Sequence, residues 1–225
     1  MCGRFVIKAD KNQMIETFDI HHSQISVFTP HFNLPPGTHI PYIYEPGNAR
    51  VLGSAHWGLI PSWAKDKSFA SHTFNARSET VSEKPSFRSA YKTRRCLIPA
   101  TAYYEWATTN NKGQGKQPYW IGKQDKTLFA FAGLYENWTD PSTGELLESC
   151  TVITREAFPS IRHIHSRMPV ILPPEYYKLW LKAAIEDFPM IEEQELDFYP
   201  IEKAVGSPKY NYEFKSILSE NGLPL

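Results

Sequence analysis

From residue 10 to residue 20 (DKNQMIETFDI) the apolar positions Met14, Ile15 and Phe18 recur at helical spacing behind Asp10, a residue suited to an N-cap. This predicts one short amphipathic helix. Most of the remaining apolar runs read instead as strands. HIPYIYE (39–45) and ARVLGSAHWGLI (49–60) form a pair around the turn PGN (46–48), and NLPPG (33–37) is a rigid turn before them. RRCLIPATAYYEW (94–106), QPYWIGK (117–123), LFAFAGLYENW (128–138) and ESCTVITR (148–155) read as further strands, with a hairpin loop at 110–116. PVIL (169–172) is a short strand leading into a proline-opened helix, PPEYYKLWLKAAI (173–185), with Tyr177, Leu181 and Ile185 on one face. A turn-rich segment, AVGSPKYNYEF (204–214), follows.

This order is not a regular β-α-β alternation. Many short strands with few helices predict an α+β fold, a single domain over residues 1–225 with a curled, mostly antiparallel central sheet and a few flanking helices. Composition agrees: 41% of the 225 residues are hydrophobic and 14% aromatic, enough for a sizeable core, and 18 prolines favour short elements. No apolar run approaches the roughly 20 residues that span a bilayer, and no secretory signal pattern opens the chain, so the expected setting is cytoplasmic with no membrane partner. Cys2, Cys96 and Cys150 are too widely spaced for a disulfide framework or a zinc site. Cys96 and Cys150 are expected in the core, with no metal and no cofactor.

Charge changes the picture locally. The formal net charge is zero, which argues against a strongly basic nucleic-acid binder. Yet residues 84–95 hold Lys84, Arg88, Lys92, Arg94 and Arg95 with no acid, whereas 185–202 hold many acids and no base. A narrow basic groove is expected, with the acidic stretch elsewhere on the surface.

Four places carry candidate chemistry. If Met1 is trimmed, Cys2 presents an α-amine next to its thiol, with the amine titrating near ~8 when unperturbed. Such a pair can condense with an aldehyde and close to a thiazolidine, or act as an N-terminal nucleophile in peptide cleavage. A plain structural place in a buried first strand is the third reading. Asn75 and Arg77 share one side of an extended segment and suit an oxyanion or a phosphate, or a structural network. Glu105 lies among aromatics in YYEW, where burial would raise its pKa into acid–base range, or where an arginine would pair it. In IRHIHSRMPVIL, His163, His165 and Arg167 would point to one side if extended, with histidine a natural proton shuttle. Trp57 is expected in the core; Trp63, if exposed, could stack on a base.

MCGRF, N-x-P-P-G, WGLIPSWAK, NARSET, RRCLIPA…YYEW, FAFAGLYE-x-W, T-x-I-T and IHSRMPVIL occur in an order that resembles the SOS-response-associated peptidase (SRAP) family, whose members process abasic sites in DNA. The resemblance runs from Cys2 to VGSPK at 205–209. It implies a single α+β domain, probing single-stranded DNA as a monomer, whose cysteine, exposed by loss of Met1, bonds covalently to the ring-opened sugar of an abasic site. Asn75, Glu105 and His165 match the family's site residues. Arg4, Pro36, Trp63, Arg77, Thr154 and Arg167 match positions lining its DNA groove. The chain departs from the pattern at Ser166, where an aspartate is common, at Ala64, where some relatives carry a second tryptophan, and at Pro85, where some carry arginine. Two alternatives use the same residues: a thiol peptidase built on Cys2, Glu105 and His165, whose substrate could be limited to its own Met1, and a nonenzymatic DNA binder.

Overall fold

The computed structural model describes residues 2–108 and 115–213, so the loop expected at 110–116 lies largely outside the described residues. The chain enters through β1 (Phe5–Ile7), forms α1 (Lys11–Phe18), and continues through β2 (His22–Ser23), β3 (His31–Leu34), β4 (His39–Tyr44) and β5 (Val51–Trp57). A long crossing leads to β6 (Asn75–Arg77), α2 (Arg88–Thr93), β7 (Arg95–Ala100) and β8 (Ala102–Thr108). Then come β9 (Lys116–Lys123), β10 (Phe129–Thr139), β11 (Leu146–Glu156), β12 (Arg167–Pro169), β13 (Ile171–Leu172), α3 (Tyr177–Leu181) and β14 (Leu196–Pro200). Among the described residues no helix is long and apolar enough to cross a membrane.

The strands form two sheets. One is five-stranded and antiparallel in the order β14-β9-β8-β1-β3. The other runs β12-β11-β10-β7-β4-β5-β2, with β13 beside β10 and β6 beside β11. In that sheet β11 also pairs in parallel with β5, through Ser149 with His56 and Cys150 with Trp57. The path β11-β10-β7-β4-β5 therefore closes on itself, which is the expected curl. The α+β class and the mostly antiparallel pairing are likewise as expected. Cys96 and Cys150 are buried inside this curl.

Helix α1 forms as predicted, because the Asp10 carboxylate accepts from Gln13 N–H at 2.9 Å while the Gln13 side chain accepts from Asp10 N–H at 2.9 Å. Met14 and Phe18 turn into the core. Three expectations need correction. Residues 94–106 form two strands, not one: β7 lies in the nine-stranded sheet and β8 in the five-stranded sheet. Thr101 is the corner, donating its N–H to Val6 O at 2.7 Å and accepting from Lys8 N–H on its hydroxyl at 2.9 Å. Hydropathy hides the break because both halves are buried. The helix expected over 173–185 is a 3₁₀ turn followed by α3, which ends at Leu181. Ala183 takes a left-handed φ of 53° beyond it, and Arg95 Nη1 donates to the Ile185 carbonyl.

The third correction concerns charge. Arg94 pairs with Glu136 at 2.7 Å. Arg95 is buried, with its guanidinium 4.2 Å from the Tyr91 ring centre and 4.4 Å from that of Trp180. Lys92 and Arg95 share a cleft of about 530 Å³ with Glu186 and Asp187. The acidic stretch therefore begins beside the basic run, and two of the five basic residues of that run are structural. Glu136 and Trp180 lie more than 40 residues from these arginines, out of reach of any local pattern.

Trp57 fixes the position of the site. It is fully buried, contacts Phe5 edge-on at 5.0 Å and Phe74 at 6.2 Å, and donates its indole N–H to Phe74 O at 2.8 Å. Burying an indole removes roughly 150–250 Å² from water, about 4–6 kcal/mol at 25 cal/mol per Å² before the entropy of ordering. The next residue must be Gly58: its φ is 146°, and a Cβ there would lie 2.4 Å from Ala70 O. Trp57→Phe is expected to lower the unfolding free energy by about 1–3 kcal/mol, through lost volume and a lost donor to Phe74. Urea denaturation checks this.

Candidate active site at the second residue

Chain ends usually fray. Here Cys2 is 0% exposed, ahead of β1, which is held on one side by β3 and on the other by β8. Phe5 pairs with Tyr103 and Val6 with Ala102, and Tyr104 N–H donates to Arg4 O at 2.9 Å. That register brings β8 alongside the first residues of the chain. Along β8, Tyr103 and Glu105 fall on the same face as alternate residues.

Asn75 opens β6, directly after the carbonyl that Trp57 holds. Its amide donates to Cys2 O at 2.8 Å, while its Oδ1 is buried and has no hydrogen-bond partner among the described residues. Strand β6 is held in turn by β11, where Val152 is in register with Asn75 and Thr154 with Arg77. Glu105 is 3% exposed. Burial raises its carboxyl above the usual carboxylate range, and nearby positive charge, His165 included, opposes that rise. The Cys2 thiol is pushed strongly up by burial and then by the neighbouring Glu105 charge.

His165 is not on an extended strand. Residues 162–164 form a turn, so His163 swings away to contact Tyr119 and Phe198. His165 Nδ1 lies 2.9 Å from the Arg167 backbone nitrogen and 3.2 Å from its carbonyl oxygen, which anchors the ring to that loop. Asn75 is thus bonded to Cys2, while Glu105 acts on the Cys2 thiol and His165 on Glu105 through charge, from four separate elements. Among the described residues no group of three His, Cys, Asp or Glu is placed to hold a metal ion.

The six other sequence-derived residues fare differently. Arg77 is exposed and makes no side-chain hydrogen bond or ion pair among the described residues. Trp63 is 55% exposed, edge-on to Phe69 at 5.1 Å. Pro36 lines an open cleft of about 400 Å³ with His56, Lys67 and Phe74, the neighbour of Asn75. Arg4 is half-buried and bonds through Nη1 to Asn33 Oδ1 at 3.2 Å and to Val205 O at 3.3 Å. Thr154 is 1% exposed, and its hydroxyl donates to Ala76 O at 3.3 Å, so it supports β6 from beneath. Arg167 grips Glu79 with both terminal nitrogens, at 2.6 and 2.9 Å, and Thr154 O at 2.6 Å.

That last contact ties the NARSET turn to the His165 loop. A profile of the SOS response associated peptidase (SRAP) family matches residues 1–208. The chain belongs to the SRAP family. It is 39% identical over 219 residues to abasic site processing protein YoqW of Bacillus subtilis, covering 94% of this chain and 96% of that one. It is 31% identical over 221 residues to abasic site processing protein HMCES of Xenopus tropicalis, covering 82% of this chain and 64% of that one. A crystal structure of a Bacteroides thetaiotaomicron protein superposes with a TM-score of 0.81 at 27% identity, covering 93% and 97% of the two chains.

Two residues of this SRAP site were not assigned roles from sequence. Glu79 stands inside NARSET, but its partner lies 88 residues away. Tyr103, two residues before Glu105, could have been found by strand alternation alone. The buried Asn33 explains VGSPK: its amide donates to Val205 O, Ser207 O and Tyr210 O, fastening that segment under β3.

A raised carboxyl pKa has a signed consequence for stability. The folded state holds the Glu105 proton to higher pH than the unfolded chain, whose glutamate titrates near ~4.3. The penalty is absent below that pH and grows as pH rises through the window up to the folded value. Glu105→Gln is therefore expected to raise the melting temperature at pH 7 and to leave it unchanged at pH 4. Paired thermal melts at the two pH values check this.

Proposed function

We propose that this protein captures abasic sites in single-stranded DNA by forming a thiazolidine between Cys2, freed by loss of Met1, and the ring-opened sugar. The observation that carries the reading is the hydrogen bond from Asn75 to the Cys2 carbonyl, which fixes residue 2 beside buried Glu105. The names of YoqW and HMCES as abasic site processing proteins support the same lesion.

The chemistry follows from the groups present. An abasic sugar is mostly a closed hemiacetal, and opening it moves a proton from its hydroxyl to its ring oxygen. The imidazole of His165 serves the sugar oxygen. The Cys2 amine attacks the aldehyde carbon, and water leaves as the C=N bond forms. Glu105, whose carboxyl burial shifts toward its protonated form, supplies the proton for that departure and then takes one from the thiol. Sulfur adds to the imine carbon, the C=N pair moves onto nitrogen, and nitrogen receives the proton. The free Oδ1 of Asn75 accepts from a sugar hydroxyl. Arg77 and Arg4 contact flanking phosphates, which carry affinity without sequence preference. Trp63 offers a face to a neighbouring base.

The decisive experiment uses protein whose mass shows Met1 to be absent. Incubation with a single strand carrying one abasic site is expected to give a band that survives denaturing electrophoresis. The band should be absent with Cys2→Ala and with an undamaged strand. Peptide cleavage without such a band would instead favour the thiol-peptidase reading, and reversible binding alone a nonenzymatic one.

The two arginines should behave differently. Arg77→Ala is expected to weaken noncovalent binding and to flatten the log affinity–log salt slope by about 0.7. Arg167→Ala should leave that slope nearly unchanged while lowering the melting temperature, because its guanidinium is engaged by Glu79 and Thr154. Salt titrations of binding in a Cys2→Ala background, with thermal melts, separate the two roles.

A further inference from the structure

Asn33, the asparagine of N-x-P-P-G, is fully buried although its side chain is polar. Its amide nitrogen donates to Val205 O at 3.2 Å, Ser207 O at 2.9 Å and Tyr210 O at 3.1 Å. Three carbonyls around one end of the amide require that end to be the nitrogen, so the oxygen faces the other way, toward Arg4. Arg4 Nη1 donates to that oxygen at 3.2 Å and to Val205 O at 3.3 Å. Both N–H bonds of Nη1 are thereby used. Nε and Nη2 have no hydrogen-bond partner among the described residues, and neither is sealed from solvent. Together they form one edge of the guanidinium, whose parallel N–H groups suit two oxygens of a phosphate.

The charge of Arg4 is treated differently from that of other half-buried arginines. Arg50 pairs with Glu45, Arg94 with Glu136 and Arg167 with Glu79. Arg4 is held by neutral oxygens alone, with no carboxylate partner among the described residues. Burial without an opposite charge is costly, and it pulls the pKa of this guanidinium down. In return, neutral acceptors orient the cation without cancelling it, so its attraction for an anion is kept.

We propose that Asn33 is a positioning residue for DNA binding: with the Val205 carbonyl, it aims the free edge of Arg4 at a phosphate beside the lesion. This rests on the phosphate contact of Arg4 proposed above. It makes the segment around Val205, 201 residues from Arg4 in the chain, part of the binding apparatus. An arginine already held in place does not have to be ordered when DNA arrives, and ordering one long side chain changes affinity about 2- to 10-fold.

Noncovalent binding of abasic single-stranded DNA, followed across a salt series in a Cys2→Ala background, tests this. Arg4→Ala is expected to weaken binding and to flatten the log affinity–log salt slope by about 0.7, the share of one phosphate contact. Asn33→Ala is expected to weaken binding about 5-fold with the slope unchanged, because the charge remains and only its ordering is lost. Added to Arg4→Ala, the same substitution should cost no further affinity, although it still lowers the melting temperature. A merely structural asparagine would weaken binding equally in both backgrounds; that result, or no loss in either, overturns the role of Asn33. A second measurement does not depend on the variant folding. In the DNA-free protein, the Arg4 Nε–H is expected to show an NMR order parameter near about 0.85, against less than about 0.6 for the exposed Arg77. An Arg4 side chain as mobile as that of Arg77 refutes the positioning. If Arg4→Ala leaves the slope unmoved, the phosphate contact fails and this role with it, whereas the capture chemistry stands or falls on the Cys2 crosslink.

Discussion

The molecule depends on holding a chain end still. Residue 2 would fray if left to itself, and a thiol that moves freely cannot be held in register with its neighbours. The constraint begins with Trp57, whose indole grips the Phe74 carbonyl and whose ring faces receive Phe5 from the first strand. Phe5 fixes the N-terminal strand, and Phe74 fixes the residue that follows it. Asn75 then closes the loop by donating to the Cys2 carbonyl. One buried ring thus locates both Cys2 and the residue that holds it.

Burial sets the chemistry of the neighbouring groups as well as their positions. The site excludes water from Cys2, Tyr103 and Glu105 together, and each is pushed toward its neutral form. A carboxyl whose pKa is raised by burial is the more ready proton donor. A thiol made reluctant to ionise is protected from casual oxidation, and it reacts when a strong electrophile and a proton acceptor are both at hand. Positive charge is handled in two ways. Arg77 is left free at the surface, while Arg167 is neutralised by Glu79 and serves as a brace between the strand of Asn75 and the loop of His165. Two arginines that look alike in sequence therefore do different work.

Much of this was legible in the residues. Helix α1 could be read because its cap and its apolar stripe lie within one another's reach. The long strands β10 and β11 could be read because they are dense in aromatic and β-branched residues. Cys2, Asn75, Glu105 and His165 were found through motifs whose order is specific. Other features had no local trace. The corner at Thr101 interrupts an apolar run without interrupting its hydrophobicity. His163 and His165 share a spacing that suggests one face, yet a turn sends them apart. Thr154, matched to the DNA groove, lies under the sheet with its hydroxyl on Ala76.

The sequence by itself determined the class of fold and the family, because these depend on residue type, order and short-range periodicity. Only the tertiary structure decided how charge and hydrogen bonds are distributed. It placed Glu79 on Arg167, brought Arg95 against Ile185, and turned the Asn75 amide onto the Cys2 carbonyl. The physical reason is that charge pairing, burial and hydrogen-bond satisfaction act between side chains close in space, and strand crossing makes neighbours of residues that are tens of positions apart in the chain.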